Sequence, residues 1–266
     1  MKYCGSGFSV ILFIFACIGQ LFINFFMLIG RAFIFLVASV YHCFLPPYYL
    51  SVMVKQLVEA CFFSLPIVGV ASVFTGGAIM LQNALISPKT VQGEFMAGIV
   101  AIAIVRELGP VLIGLIIAGR VGAAIAAEIG TMRITEQIDA LITLDTHPLK
   151  YLGAPRIIAS MIAMPILILC ADVIGIYGGY IVATLNLGYS HDMYVKGIMD
   201  FVHMKDITLG LIKALSFGFI ISFIGCYSGY HCSGGARGVG VATTSTVVMS
   251  SMLIIFLNYI ITVFYS

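Results

Sequence analysis

Charged side chains inside apolar stretches are the residues of this sequence best suited to chemistry. Arg106 and Glu107 stand side by side in a long apolar stretch, and Pro110 follows one turn later. Charged groups in apolar surroundings are costly, so they usually pair or line a polar cavity. The pair therefore predicts either a binding site or an interfacial pair that extends to water. Arg120 lies deeper, and its nearest carboxylate on the same helix is Glu128, two turns away. We expect its partner on another helix or in a carbonyl-lined pocket.

Enzymatic chemistry is not supported by the other reactive residues. His42, His191, His203 and His231 are scattered without the spacing of metal ligands. The serines and cysteines lack an evident general base. The phosphate-binding pattern GxxxxGK[ST] is absent, so the chain has no means of its own to bind ATP phosphates. We therefore expect no catalytic residues, no metal and no cofactor in this chain.

Residues 135–142 have the pattern of a short amphipathic helix. Thr135 is placed to cap it, and Ile138, Leu141 and Ile142 fall on one face at spacings of three and four residues. A helix of this kind suits docking into a groove on a soluble partner. A helix that rests on a membrane surface has the same pattern, so both interpretations stay open.

Small residues recur at every fourth position through the same part of the chain. They would form a stripe along one face of a helix and let another helix approach closely. The stripe consists of Gly114, Ala118, Gly122, Ala126 and Gly130. It predicts either packing within the chain or a seam between two copies.

The composition places these elements in a lipid bilayer. Of 266 residues, 61% are hydrophobic and 9% are charged, whereas a soluble domain is about half apolar. The apolar runs are continuous, as in 157–185, and do not alternate as β-barrel strands do. The sequence therefore predicts an all-α, polytopic membrane protein. Its net charge of +2, without a basic cluster, excludes nucleic acid as a partner.

About five transmembrane helices fit the apolar runs, since one crossing needs ~20 residues. We expect them at 60–85, 95–130, 157–187, 207–230 and 243–264. Residues 188–206 are predicted to form a loop. Residues 8–45 are apolar but interrupted, which predicts either one more span or an interfacial elbow helix. We divide the chain into an N-terminal apolar segment, 1–48, and a membrane domain, 49–266.

Lysine and arginine residues near the span ends predict the orientation, because cytoplasmic loops carry the excess. One side holds Arg31, Lys55, Arg133, Lys150, Arg156 and Arg237. The other side holds Lys89, Lys196 and Lys205. Segment 131–156 lies on the richer side and is predicted to be cytoplasmic.

Three stretches of the sequence form a specific combination. They are RELGP at 106–110, AGRVGAAIAAEIGTMRITEQIDAL at 118–141 and SGGARGVGVATTSTVVMSS at 233–251. Together they resemble the MlaE (YrbE) family of ABC-transporter permeases, and the resemblance covers roughly residues 50–266. Two positions depart from the family pattern. His147 stands where an acidic residue usually precedes the proline, and Arg237 replaces a commonly acidic position.

The resemblance implies a homodimeric permease that moves phospholipids or related lipids between the inner membrane and the periplasmic or outer-membrane side. It implies a separate cytoplasmic ABC ATPase, which binds the ATP, and an MCE-domain lipid-binding protein on the other side. The implied location is the bacterial inner membrane, with the plastid inner envelope as the alternative.

The resemblance also assigns expected roles to residues. Arg106, Glu107 and Pro110 would lie near the head-group end of a lipid cavity at the dimer axis. The coupling helix that meets the ATPase would comprise Glu136, Gln137, Ile138, Asp139 and Leu141.

Two other functions remain open on the residues alone. An ion-coupled secondary transporter would need paired acids or histidines in the spans and broken helices repeated in two halves. Asp172 is the one candidate acid deep in a later span, and no repeat accompanies it. A non-transporting membrane scaffold would leave the polar helix at 135–142 unexplained.

Overall fold

The computed structural model describes residues 6–44, 49–86 and 93–265. This part of the chain is helical and contains no strand, which confirms the predicted all-α class. Five helical segments are long and apolar enough to cross a bilayer, as predicted. Spans 1 to 5 are Leu50–Ile86, Gly93–Ile134, Leu149–Leu185, Met204–Tyr230 and Gly235–Tyr265.

The helices that build and connect the spans follow in chain order. Before span 1 comes α1, Ser6–Phe44. Span 1 joins α2, Leu50–Cys61, to α3, Leu65–Ile86, through a 3-10 turn at Phe62–Ser64. Span 2 comprises α4, Gly93–Ala103, α5, Gly109–Ile117, and α6, Ala123–Ile134. The short helix α7, Gln137–Thr143, links spans 2 and 3. Span 3 is mainly α8, Ala154–Leu185; then come α9, His191–Phe201, span 4 as α10, and span 5 as α11.

Three π-helical turns interrupt the spans, each adding a residue to a helical turn. Two lie in span 2, at Ile104–Leu108 and Ala118–Gly122, and the third opens span 3 at Leu149–Gly153. The first carries the Arg106–Glu107 pair and the second carries Arg120. π-Turns of this kind occur frequently at functional sites because they displace side chains from the regular helical rows.

The prediction of a loop over 188–206 was wrong, because α9 occupies most of it. Ser190 caps this helix, its hydroxyl accepting a hydrogen bond from the backbone N–H of Met193 at 3.4 Å. Tyr194 is buried, and its hydroxyl donates to the carbonyl of Ile176 at 2.9 Å. That burial raises the pKa of Tyr194 to about 12, so the hydroxyl stays protonated at neutral pH. Helix α9 is too short and too charged for a hydropathy pattern to reveal.

Spans 1 and 3 pack with their backbones in contact. A Cβ atom added at Gly76 would lie 1.9 Å from the carbonyl oxygen of Gly175. One added at Gly178 would lie 2.3 Å from the carbonyl oxygen of Val73. Small residues allow this approach, and in lipid such close packing is a main source of helix association.

The small-residue stripe of span 2 packs inside the chain. Cβ atoms built at Gly114 and Gly122 would meet side chains of spans 4 and 5 at ordinary or tight contact distances. Ala118 and Ala126 are completely buried. Of the two interpretations of the stripe, packing within the chain is the one observed, because the chain's own spans cover these residues.

The second half of α1 packs against spans 3 and 4. Phe35 is buried and makes aromatic contacts with Phe223, Tyr227 and Tyr230 of span 4. Ring centroids lie 5.4 to 5.9 Å apart, the range of favourable aromatic pairs. Helix α1 is therefore attached to the domain through its C-terminal half.

We expect Gly76→Ala to destabilise the chain, because its new methyl group would overlap the Gly175 carbonyl and push spans 1 and 3 apart. Overpacking of this kind typically costs ~1–3 kcal/mol. Gly69→Ala on the same helix is the matched control, since its nearest contact would be at 3.8 Å, an ordinary distance. Thermal unfolding of the full chain in detergent, followed by circular dichroism, measures both. Equal midpoints for the two variants would contradict the observed packing.

Candidate functional site

A polar cluster connects spans 2, 4 and 5 around the carboxylate of Glu107. Lys213 of span 4 donates to its Oε1 at 2.8 Å. Asn258 and Thr262 of span 5 donate to its two oxygens at 2.9 and 3.0 Å. The Lys213 side chain is completely buried, whereas that of Glu107 is 40% exposed. The cluster therefore combines a buried ammonium with an accessible carboxylate.

Lys213 also bonds the backbone of the π-turn, close to Pro110. In an α-helix the N–H of residue 110 would bond to the carbonyl of Arg106, four residues earlier, and proline has no N–H. The Lys213 ammonium donates to that carbonyl at 2.7 Å. A buried backbone carbonyl without a partner is costly, so this bond satisfies it. The predicted residue Pro110 thus acts on the site through the backbone of span 2.

Arg106 faces a different partner from its neighbour. Its guanidinium lies 3.5 Å from the carboxylate of Asp206 at the start of span 4. The same carboxylate accepts the backbone N–H of His203 at 2.9 Å, which caps the helix. The Arg106 side chain is 35% exposed, so much of the guanidinium is accessible. Arg106 and Glu107 are adjacent in sequence but belong to separate ion pairs.

Asp172 of span 3 lies directly against the same π-turn. It is buried, and its Oδ1 has no hydrogen-bond partner among the described residues. A Cβ at Gly109 would lie 2.1 Å from that oxygen, so the glycine of RELGP leaves the space for the carboxyl group. The Asp172 carboxyl group therefore packs against the backbone of Gly109 in RELGP.

Arg120 has the interhelical partner that the sequence predicted. Its guanidinium donates to the hydroxyl of Ser64, which ends the 3-10 turn of span 1. Glu128 pairs elsewhere, with Arg156 of span 3 at 2.7 Å. Arg156 is 2% exposed and also donates to the carbonyl of Leu152 at 2.8 Å. These bonds join spans 1, 2 and 3 at the α7 side of the molecule.

A short helix, α7, lies where the sequence predicts the coupling helix, and it differs from the prediction in detail. Thr135 does not cap it, because the Thr135 hydroxyl donates to the carbonyl of Thr131. Glu136 occupies the N-cap position with a φ of 59° and makes no side-chain cap hydrogen bond. Ile138 is fully buried in the core of the chain, so it cannot touch a partner and instead holds α7 in place. Asp139 forms an ion pair with Arg133 at 2.7 Å.

The accessible apolar residues of the α7 region come after Ile138 in the sequence. Leu141 is partly buried against the core. Ile142 is 52% exposed and Leu144 is 74% exposed. The exposed surface of the α7 region thus combines Glu136, Gln137 and Asp139 with the apolar side chains of Ile142 and Leu144.

Sequence reasoning missed Lys213, Asn258 and Thr262. Lys213 carried a signal, since a lone lysine inside an apolar run needs a partner. Asn258 and Thr262 are one helical turn apart, but nothing in the sequence marks them as facing Glu107. Among the described residues no group of His, Cys, Asp or Glu has the arrangement of a metal site.

Comparison with known proteins gives consistent results. The family model described as "Permease MlaE" matches residues 53–264. The chain is 48% identical over 234 residues to a probable ABC transporter permease protein of Rickettsia bellii, covering 88% of this chain and 90% of that protein. It is 33% identical to the intermembrane phospholipid transport system permease protein MlaE of Haemophilus influenzae, covering 93% and 95%.

A plant protein is also similar. The chloroplastic protein TRIGALACTOSYLDIACYLGLYCEROL 1 of Arabidopsis thaliana is 37% identical over 206 residues, which cover 76% of this chain and 58% of that protein. The family model and the bacterial relatives all cover most of this sequence. The chain therefore belongs to the MlaE permease family of ABC transporters.

Proposed function

We propose that this chain is the membrane subunit of an ABC transporter that moves phospholipids, or closely related lipids, across or out of a bacterial inner membrane. The ATP would be bound and hydrolysed by a separate ATPase. The name of the Haemophilus relative, with its phospholipid transport system, supports the substrate class. The plant relative is named as chloroplastic, which supports a plastid as the alternative location; the inner envelope is what the family resemblance implies.

The observation that carries this proposal is the Glu107 cluster beside an uncovered apolar face. Span 5 supplies Asn258 and Thr262 to the cluster. The same region of that span exposes a row of large apolar side chains, which are Met252, Phe256, Tyr259 and Val263. A polar cluster next to an apolar surface matches the two parts of a phospholipid, its head group and its chains.

The energetics of lipid transfer favour such a surface. A phospholipid has about 30 chain methylenes, and exposing each to water costs ~0.8 kcal/mol, or ~25 kcal/mol in all. A continuous apolar path avoids this cost. ATP binding would then act by favouring one of two cavity shapes, since a ligand shifts an equilibrium only through differential affinity.

Exposed surfaces of the chain support two of the proposed partners, a second copy and the ATPase. The uncovered face of span 5 suits a second copy of this chain, which would complete a lipid cavity between the two copies. The α7 region suits the ATPase. An MCE-domain protein on the α9 side is the third proposed partner, and its support is the family resemblance.

Mass spectrometry after purification of the tagged chain from its native membrane in mild detergent tests the proposal. We expect an ATPase, an MCE-domain protein and bound phospholipid to co-purify. An intact chain that carries neither lipid nor ATPase would contradict the proposal and favour an ion-coupled transporter or a scaffold.

We expect Glu107→Ala to destabilise the domain, because it leaves the buried ammonium of Lys213 without its counter-charge. Breaking a buried ion pair from one side typically costs ~3–5 kcal/mol, and the partial exposure of Glu107 places this case near the lower end. Lys213 also donates to the Arg106 carbonyl, so a double-mutant cycle isolates the pair: Lys213→Met should cost less in the Glu107→Ala background than in the unmodified chain. Thermal unfolding of the single and double variants measures this coupling. An equal cost of Lys213→Met in the two backgrounds would contradict the pairing.

We expect Leu144→Glu to reduce co-purification of the ATPase about tenfold, the effect of losing ~1.4 kcal/mol at an interface. Leu144 is 74% exposed, so the fold should not change. The matched control is Leu185→Glu, which is 78% exposed at the opposite end of span 3. Quantitative immunoblotting of the purified complex measures both variants. Undiminished ATPase in the Leu144 variant would remove α7 and its following turn from the docking surface.

A further inference from the structure

A polar cavity lies between spans 1, 2 and 3, away from the Glu107 cluster. Its volume is about 270 Å³. Its polar lining residues are Gln56, Glu59, Arg120, Glu128 and Ser160, and the remaining walls are apolar. Nothing in the proposed transport route through span 5 uses this cavity.

The cavity lies on the α7 side of the membrane domain. Arg120 is about 14 residues, or ~21 Å, from the α7 end of span 2, and Glu128 is about 6 residues, or ~9 Å, from it. Glu59 lies about 9 residues, or ~14 Å, into span 1 from the same side. These positions bracket the depth at which head groups meet the ~30 Å hydrocarbon core. Arg106 lies a further ~21 Å along span 2, towards the opposite leaflet.

Each wall of the cavity supplies a group with unused bonding capacity. Arg120 gives one N–H to Ser64, and its other donors make no hydrogen bond with a described residue. Glu59 is exposed and has no ion-pair partner among the described residues. Ser160 is 5% exposed, and its hydroxyl makes no hydrogen bond within the described chain.

Glu128 adds a second carboxylate to this set. One of its oxygens pairs with Arg156 at 2.7 Å, and its side chain is 43% exposed. The cavity thus holds a guanidinium and a hydroxyl, which donate hydrogen bonds, together with two carboxylates, which accept them. The set is matched to a ligand that carries a negative and a positive group together.

A phosphate with a primary ammonium fits this set. The phosphate accepts hydrogen bonds from Arg120 and Ser160, and the ammonium donates to Glu59 and Glu128, all of them charge-assisted or directed at a charged partner. A purely anionic head group would leave the Glu59 carboxylate without a counter-charge, since only Glu128 has an ion-pair partner, Arg156. A quaternary ammonium has no N–H to donate. The charges of the cavity therefore favour a zwitterion, and its hydrogen-bond acceptors favour one that carries a primary amine.

The surroundings of the cavity indicate that this ligand is a lipid. Phe63 lines the cavity and is 58% exposed, and Phe62 beside it is 66% exposed. Further along span 1, Ile67 and Val70 are also exposed. This apolar strip runs from the cavity towards the membrane centre, where acyl chains would lie.

We propose that the cavity lined by Arg120, Glu59, Glu128 and Ser160 binds the head group of a zwitterionic phospholipid with a primary amine, of the phosphatidylethanolamine type, from the leaflet on the α7 side. This inference rests on the proposed function and adds a leaflet and a head-group class to it. The Arg106–Glu107 region and this cavity would then serve opposite leaflets.

Lipid selectivity of the purified full chain tests the inference. The chain is reconstituted in bilayers of equal phosphatidylethanolamine, phosphatidylcholine and phosphatidylglycerol, extracted in mild detergent, and its retained lipids are counted by mass spectrometry. We expect phosphatidylethanolamine to be retained about fivefold over the other two, and Glu59→Gln to abolish this preference. A fivefold preference corresponds to the net contribution of one typical hydrogen bond.

Asp192→Asn is the matched control, since it removes the same charge from an exposed position on the α9 side, and it should keep the preference. Retained phospholipid without a head-group preference, or a preference unchanged by Glu59→Gln, would overturn this inference and leave the proposed function standing. A chain that retains no phospholipid would overturn both. Competition by water-soluble glycerophosphoethanolamine with the affinity of the lipid would assign the cavity to a soluble ligand and overturn the lipid assignment.

Discussion

The ammonium group of Lys213 connects the π-turn of span 2 with spans 4 and 5. Pro110 removes the helical donor for the carbonyl of Arg106, and the buried ammonium of Lys213 replaces it. That ammonium in turn requires a counter-charge in an apolar interior, and Glu107 supplies it from the same π-turn. Asn258 and Thr262 then bring span 5 to the carboxylate. Contacts around this π-turn thus join spans 2, 4 and 5.

The two π-turns of span 2 connect local backbone geometry with the positions of charge. Each carries an arginine, Arg106 in the first turn and Arg120 in the second. The side chains leave the row that a regular helix would give them and reach groups on other spans, Asp206 and Ser64. Because charge in the membrane needs a partner, these irregular turns help to determine which spans meet and where polar cavities form.

The sequence predicts features whose physical signal lies within one continuous stretch of residues. Continuous apolar runs predict the five spans, and the isolated charges predict a site at Arg106 and Glu107 and an interhelical partner for Arg120. Facing relations between distant helices have no such signal, so Asn258 and Thr262 were missed. Ile138 shows a related limit. Amphipathic spacing identifies an apolar face, but it does not tell whether the chain itself covers that face. Helix α9 was missed because its charges break the apolar pattern, and its 11 residues are held by packing of Tyr194 and Gly197.

The backbone contact between spans 1 and 3 constrains how this domain changes shape. Glycines at Gly76, Gly175 and Gly178 place each helix against carbonyl groups of the other. Sliding either helix by one residue, ~1.5 Å, would drive a Cα or side chain into those carbonyls. We therefore expect spans 1 and 3 to keep their spacing while other parts of the domain change shape.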